Sequence, residues 1–263
     1  MGKVSFKPGT MLSPLPVIMA SCGDSPENYN IITIGWTGII NSEPPMTYIS
    51  VRKSRHSHHI IERTGEYVIN LCNEELTFAT DFCGVKSGKD MDKFEAMNLT
   101  PMEGEVVKAP LIKESPINLE CKVTQVLELP THDVFISEIV KVHVDEELVD
   151  ENGKIHFEEA KLVAYNHGEY FGIKRKPIGK FGYSVMKPKT KKRLNREKAE
   201  EKRLNKEKAK ANKKADKELK AAKTNKKENK GKKVSEVKVE KLNTSKTKKG
   251  FGKNPKGKHA KKK

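Results

Sequence analysis

Cysteine is scarce in this chain. The four present, Cys22, Cys72, Cys83 and Cys121, form neither a CxxC pair nor a dense framework. That usage points to a reduced, cytosolic setting rather than a disulfide scaffold. HExxH is missing, as is the GxGxxG dinucleotide fingerprint, and no nucleophile–base pair or spaced carboxylate pair stands out. No stretch is long and apolar enough to be read as a transmembrane helix. Leu12 to Cys22 has the look of a short lipoprotein signal, but Pro14 and Pro16 interrupt its apolar run, and it reads better as a first strand.

Aromatic residues are absent from almost the whole C-terminal part, with Phe251 the exception after Met186. Charge divides at the same place. Residues 1–185 hold about 19 Lys and Arg against about 26 Asp and Glu, whereas residues 186–263 hold about 33 against about 9. The net charges are roughly −7 and roughly +24, so the overall pI describes neither part. The expected organisation is a globular domain over 1–185 and a Lys-rich, low-complexity tail over 186–263. A segment so poor in large apolar residues cannot offset its chain entropy by burial. Within it, Arg193-Leu194-Asn195-Arg196-Glu197-Lys198-Ala199 recurs as Arg203-Leu204-Asn205-Lys206-Glu207-Lys208-Ala209. Good helix formers with a thin apolar stripe predict a transient helix from about 191 to 223, with disorder beyond.

The first 185 residues alternate short strands with turns. Met11 to Ser21 reads as a strand, and the turn residues Gly23 to Asn28 make a hairpin with the run Ile31 to Gly38. Met46 to Val51 resumes strand composition after the break at Asn41 to Pro45. Ser54 or Ser57 is placed to cap a short helix through Ile60 and Ile61 that Gly65 stops. Tyr67 to Cys72 is a strand, and Glu74 to Phe82 a helix with Leu76, Phe78, Ala79 and Phe82 on its stripe. A further helical turn over Met91 to Met97 points Phe94 inward. Pro116 to Leu129 and Val134 to Val144 pair around Pro130 to Asp133, Asn152-Gly153 marks a tight turn, and Leu162 to Tyr165 is a late strand. Together these predict a mainly β fold, a closed or nearly closed antiparallel barrel.

Two clusters suggest anion binding. Arg52, Ser54, Arg55 and Ser57 put cations and hydroxyls at a helix start, where free amides also point outward. Ser87-Gly88-Lys89-Asp90 with Lys93 forms a second, glycine-containing loop. Gly84-x-x-x-Gly88-Lys89 is one spacer short of a phosphate-binding loop of the nucleotide-hydrolase kind, and Asp90 stands where Ser or Thr is required. His56, His58 and His59 invite a metal reading, but HxHH on one helix lacks a spaced carboxylate partner.

Several pieces, in this order and spacing, resemble the flavin reductase-like family of FMN-binding split barrels, which includes flavoredoxins. They are Asn30 to Gly38, Ser42-Glu43-Pro44-Pro45, Ile49-Ser50-Val51-Arg52, Gly65 to Leu71 and Ser87 to Phe94. The likeness covers roughly the first 185 residues. It implies a Greek-key split β-barrel, FMN as cofactor and a homodimer with the flavin pocket at the subunit interface. It implies that Arg52, Ser54, Arg55 and Ser57 hold the phosphate and that the loop with Ser87 and Lys89 closes over it. Thr33, Gly35, Trp36, Thr37 and Gly38 are then expected along the isoalloxazine, with Ser50 and Val51 on the next strand. Asn70 and Cys72 lie where the family's next flavin-facing strand runs, with Cys72 more a small buried residue than a redox thiol. His167, with Tyr170, is a candidate to sit over the flavin.

The expected activity is transfer of electrons or hydride between a reduced donor and FMN, either as an NAD(P)H:flavin reductase or as a carrier fed by another redox protein. The competing reading is a nucleic-acid- or ribosome-associated protein, in which the tail binds phosphate backbones without sequence selectivity and the barrel is a structural module. A tail docked on anionic membrane ranks below both, because it has no strong apolar face.

Overall fold

The computed structural model describes residues 2–207 apart from 175, 198, 201, 202 and 205. The chain divides into two units, Met1–Ile178 and Gly179–Lys263. The first is built from β1 (Leu15–Pro16), β2 (Ile18–Cys22), β3 (Asn30–Ile34), β4 (Thr37–Ser42), β5 (Pro45–Arg52), α1 (His56–Thr64), β6 (Glu66–Leu71), α2 (Thr77–Val85), α3 (Lys93–Ala96), β7 (Pro101–Met102), β8 (Leu111–Ile112), β9 (Ile117–Glu128), β10 (His132–Val144), β11 (Val163–Asn166) and β12 (Glu169–Gly172).

Seven of these strands form one antiparallel sheet in the order β3-β2-β6-β9-β10-β5-β4. Its two outer strands are consecutive in the chain. The run expected as one strand over Ile31 to Gly38 is therefore two, broken at Gly35 and Trp36, so that β3 and β4 lie at opposite ends of the strand order. The Ser50 amide donates to the Trp36 carbonyl at 2.9 Å, which ties this bend to β5. The architecture is the expected mainly β split barrel.

The barrel core explains which residues make it. Ile18, Ala20, Cys22, Ile32, Ile34, Ile49, Val51, Tyr67, Ile69, Cys121 and Phe135 point inward, and Ile60 and Ile61 of α1 close one end. Each Val or Ile side chain among them contributes about 1.5–3 kcal/mol on burial. Strand β2 is buried along its whole length because α2 and α3 cover its other face, where Met19 and Ile31 meet Leu76, Ala79, Cys83 and Phe94. On β10 the buried positions are Asp133, Phe135 and Ser137, an alternation that ends there: no position from Glu138 onward is fully buried.

Two local expectations need correction. Neither Ser54 nor Ser57 caps α1: Arg55 occupies the N-cap with no side-chain cap bond, and Ser57 is buried within the first turn. Gly65 does end the helix, in the left-handed region at φ 66, with its amide on the Ile61 carbonyl at 2.8 Å. Phe78 leaves the apolar stripe of α2 and is 77% exposed, while Cys83 takes the inward place. In the second unit, 188–197 is helical, and each copy of the ten-residue echo carries an i,i+4 ion pair, Arg193–Glu197 and Arg203–Glu207. The remainder of the helix expected to 223, and the disorder expected beyond it, lie outside the described residues.

Candidate functional site

The loop after β5 and the loop after α2 are thirty residues apart in sequence but line one cleft of about 480 Å³. Arg52, Ser54, Arg55 and Ser57 come from the first, and Lys86, Ser87 and Gly88 from the second. Asn30, Cys83 and Lys93 complete the buried side. No carboxylate lines the cleft, so its four cations, Arg52, Arg55, Lys86 and Lys93, are not neutralised from within. Helix α1 starts here and adds the positive end of its dipole.

Each wall is fixed by a specific contact. The Arg55 guanidinium donates to the Gly84 carbonyl at 2.9 Å, joining α1 to the end of α2. The Asn30 amide donates to Ser57 Oγ at 2.8 Å. Lys93, only 3% exposed, donates from Nζ to the carbonyls of Ile31 at 2.7 Å and Cys83 at 2.9 Å. An ammonium has three donors, so one remains beyond those two carbonyls. Burial holds its pKa below the usual lysine value.

Sequence reasoning passed over Lys86 and weighed only a different role, metal binding, for His56. His56 lines the cleft, and its buried Nδ1 has no hydrogen-bond partner. Burial, then the neighbouring His59, Lys89 and Lys93, lower its pKa, which favours the neutral ring. A buried ring nitrogen without a partner is costly unless something else meets it. The signal was available in the HxHH run, although that pattern suggests a metal. Among the described residues no group of three or more His, Cys, Asp or Glu side chains could hold one.

The other predicted residues lie elsewhere. Trp36 is exposed on the bend and stacks on His132, with ring centroids 4.8 Å apart, and His132 pairs in register with Arg52. Thr33 donates its hydroxyl to the Thr80 carbonyl, and Thr37 to the Tyr48 carbonyl at 2.6 Å. Gly38 lies against the Tyr48 ring, where a Cβ would sit 3.4 Å away. Ser50 faces away from the core, whereas Val51 points into it.

Asn70 is wholly buried. Its amide donates to the Met19 carbonyl and Ser21 Oγ, both at 2.9 Å, and its oxygen accepts from the Ile112 amide and Asn118 Nδ2. Its side chain is thus occupied inside the core. Cys72 is also in the core, and burial pushes its thiol up to about 12. Lys89 is exposed and outside the cleft lining, although its amide bonds Ser87 Oγ at 3.2 Å. His167 occupies the exposed turn between β11 and β12 at φ 47, beside Gly168.

A second charged group lies just behind the cleft. Asp133 accepts from His58 Nε2 at 2.7 Å and pairs with Lys53 Nζ at 3.1 Å. Burial pushes its carboxyl up, but the His58 and Lys53 contacts more than offset this and leave it below the usual carboxylate range.

Comparison with known proteins agrees with this fold. Residues 10–174 match the family model described as flavin reductase like domain. Flavoredoxin of Desulfovibrio vulgaris is 29% identical, with a TM-score of 0.66 over 70% of this chain and 100% of that one. A candidate flavin reductase with split barrel domain from Shewanella frigidimarina is 26% identical, with a TM-score of 0.58 over 64% of this chain and 86% of that one. An Archaeoglobus fulgidus protein is 34% identical over 116 residues, 44% of this chain and 66% of the relative.

Proposed function

We propose, from the premise that this chain belongs to the flavin reductase-like domain family, that it is a flavin-dependent oxidoreductase whose cationic cleft seats the phosphate of FMN. The observation that carries this reading is the cleft's donor set: Arg52, Arg55, Lys86 and Lys93, the hydroxyls of Ser54 and Ser87, and the unpartnered His56 Nδ1, with no carboxylate among them. A phosphate monoester is a compact dianion that wants several cations and N–H donors at once. The cleft is closed on its buried side by Asn30, Cys83 and Lys93. That suits a phosphate ending a chain, as in FMN, better than a diphosphate that must continue to an adenosine.

When bound, the flavin supplies the redox chemistry, exchanging electrons or hydride with a reduced donor. The chain's part is to bind and orient it. Arg52 lies in the cleft and pairs in register with His132, which carries Trp36 on its face, so the bend at Gly35 and Trp36 adjoins the phosphate seat. That relation favours Trp36, Thr37, Gly38 and Ser50 as neighbours of the ring. Strand β4 is a sheet edge on which both Ile39 and Ile40 are exposed, and a second copy of this chain is the proposed cover. The electron donor is NAD(P)H bound transiently or a reduced protein partner. Purified full-length protein should be yellow and should bind FMN more tightly than riboflavin. A colourless protein that cannot be reconstituted with FMN overturns the reading.

The charge of residues 186–263 favours a second role beside the first. Roughly +24 on a segment with few apolar residues suits non-selective contact with polyanions such as nucleic acid.

A further inference from the structure

Asp133 stands at the tip of the β9–β10 hairpin, at the first inward position of β10, and is 4% exposed. Both of its partners belong to the segment that carries the phosphate seat. Lys53, 3.1 Å from Oδ1, lies between Arg52 and Ser54. His58, 2.7 Å from Oδ2, follows Ser57 in the first turn of α1. One carboxylate therefore grips residues 52–58 from behind at two points. The grip is backed on one side by the register of β5 against β10, which pairs Val51 with Asp133 and Arg52 with His132. On the other it is backed by the edge-on contact of the His58 ring with Phe135 at 5.3 Å. A buried carboxylate is tolerated only when its partners stay in place, so the pairing restrains the turn as much as the turn satisfies the carboxylate.

We propose that Asp133 and His58 are positioning residues for the flavin phosphate: they hold Arg52, Ser54, Arg55 and Ser57 in the arrangement that a dianion needs. The inference rests on the phosphate seat proposed above. Its sign separates it from simple electrostatics. Asp133 is a negative charge close to an anion site, and by charge alone its removal should tighten FMN binding. Positioning requires the opposite.

The test is a set of fluorescence titrations on the full-length protein with FMN and with riboflavin, which lacks the phosphate. Asp133→Asn should weaken FMN about tenfold, within the range for residues sharing one hydrogen-bond network. Riboflavin affinity should change by less than about twofold, since its ring contacts are untouched. His58→Gln, which keeps an N–H directed at Asp133, should retain most of the FMN preference, and His58→Leu should lose it. Combining Asp133→Asn with Arg55→Ala should cost less than the sum of the two. Tighter FMN binding by Asp133→Asn, or equal losses for both ligands, overturns the proposal, as does equal behaviour of the two His58 variants. If Arg55→Ala alone fails to separate FMN from riboflavin, the seat itself is wrong. If it separates them and the Asp133 and His58 variants do not, only the positioning role falls.

Discussion

Asn30 donates its side-chain amide to Ser57 Oγ at 2.8 Å, joining the first residue of β3 to the first turn of α1 on the cleft's inner wall. Its carboxamide also occupies the space beside Gly88: a Cβ there would lie 2.6 Å from Asn30 Cγ. Gly88→Ala must therefore displace a buried side chain and break the bond to Ser57. We expect a loss of about 0.5–1.5 kcal/mol in stability, the worth of one such hydrogen bond, together with weaker FMN binding. Urea denaturation and FMN titration check both. An unchanged midpoint would mean Asn30 moves aside freely.

Arg55→Ala should weaken FMN by roughly 1–3 kcal/mol, the span for a lost charge-assisted hydrogen bond. Riboflavin should be affected much less. Because Arg55 also bonds the Gly84 carbonyl, a small part of the loss will reflect loosening between α1 and α2. Equal losses for the two ligands would place the phosphate elsewhere.

Local composition carried most of the strands along the chain, though not their order across the sheet. The β9–β10 hairpin was legible because turn residues separate two β-branched runs, and burial alternates over the first half of β10. The break at Gly35 and Trp36 was not, since a run of β-branched residues reads the same whether straight or bent. The two halves of the cleft were each visible as cation and hydroxyl clusters, but nothing in their sequences says that residues 52–57 and 86–88 meet. Asn70 lies on a strand expected to face the flavin and instead spends its carboxamide on core partners, because a buried strand's polar residue takes whichever backbone and side-chain groups the fold leaves open. Lys93, grouped in the sequence with the second cluster, both braces two carbonyls and lines the cleft.

Glu120 should govern acid stability. Its wholly buried carboxylate accepts from the amides of Glu105, Val106 and Val107 and from His143 Nε2. Burial pushes its carboxyl up, but these donors outweigh it and leave it below the usual value. A depressed folded value stabilises above the unfolded pKa, about 4.3 for Glu, and the contribution is lost as pH falls through the folded value. Glu120→Gln should cost roughly 1.5–3 kcal/mol at pH 7. It should also flatten the fall in stability below about pH 4. Denaturation curves at several pH values test this, and an unaltered pH slope would remove Glu120 from the account.

The donor question has a direct kinetic answer. No second nucleotide fingerprint is present in the sequence, and we expect the carrier-like behaviour of a flavoredoxin. On stopped-flow mixing, NADH and NADPH should leave the flavin oxidised on a turnover timescale, while dithionite or a reduced redox protein should bleach it. Fast bleaching by either nucleotide would make the protein an NAD(P)H-dependent reductase instead.

Removing residues 187–263 takes away roughly 24 net positive charges. Every described core residue lies before them: the buried set ends at Val163. The shortened chain should therefore keep its barrel, its flavin and its melting behaviour, since every lining residue of the cleft remains. Its retention on RNA or DNA should fall sharply. With the intact protein that retention should weaken steeply between roughly 50 and 200 mM salt, because each phosphate contact releases condensed counterions. The two halves of this prediction fail separately. Loss of flavin on truncation would make the basic segment part of the flavin site, whereas undiminished binding to nucleic acid would put the polyanion contact on the acidic barrel domain, against its net charge.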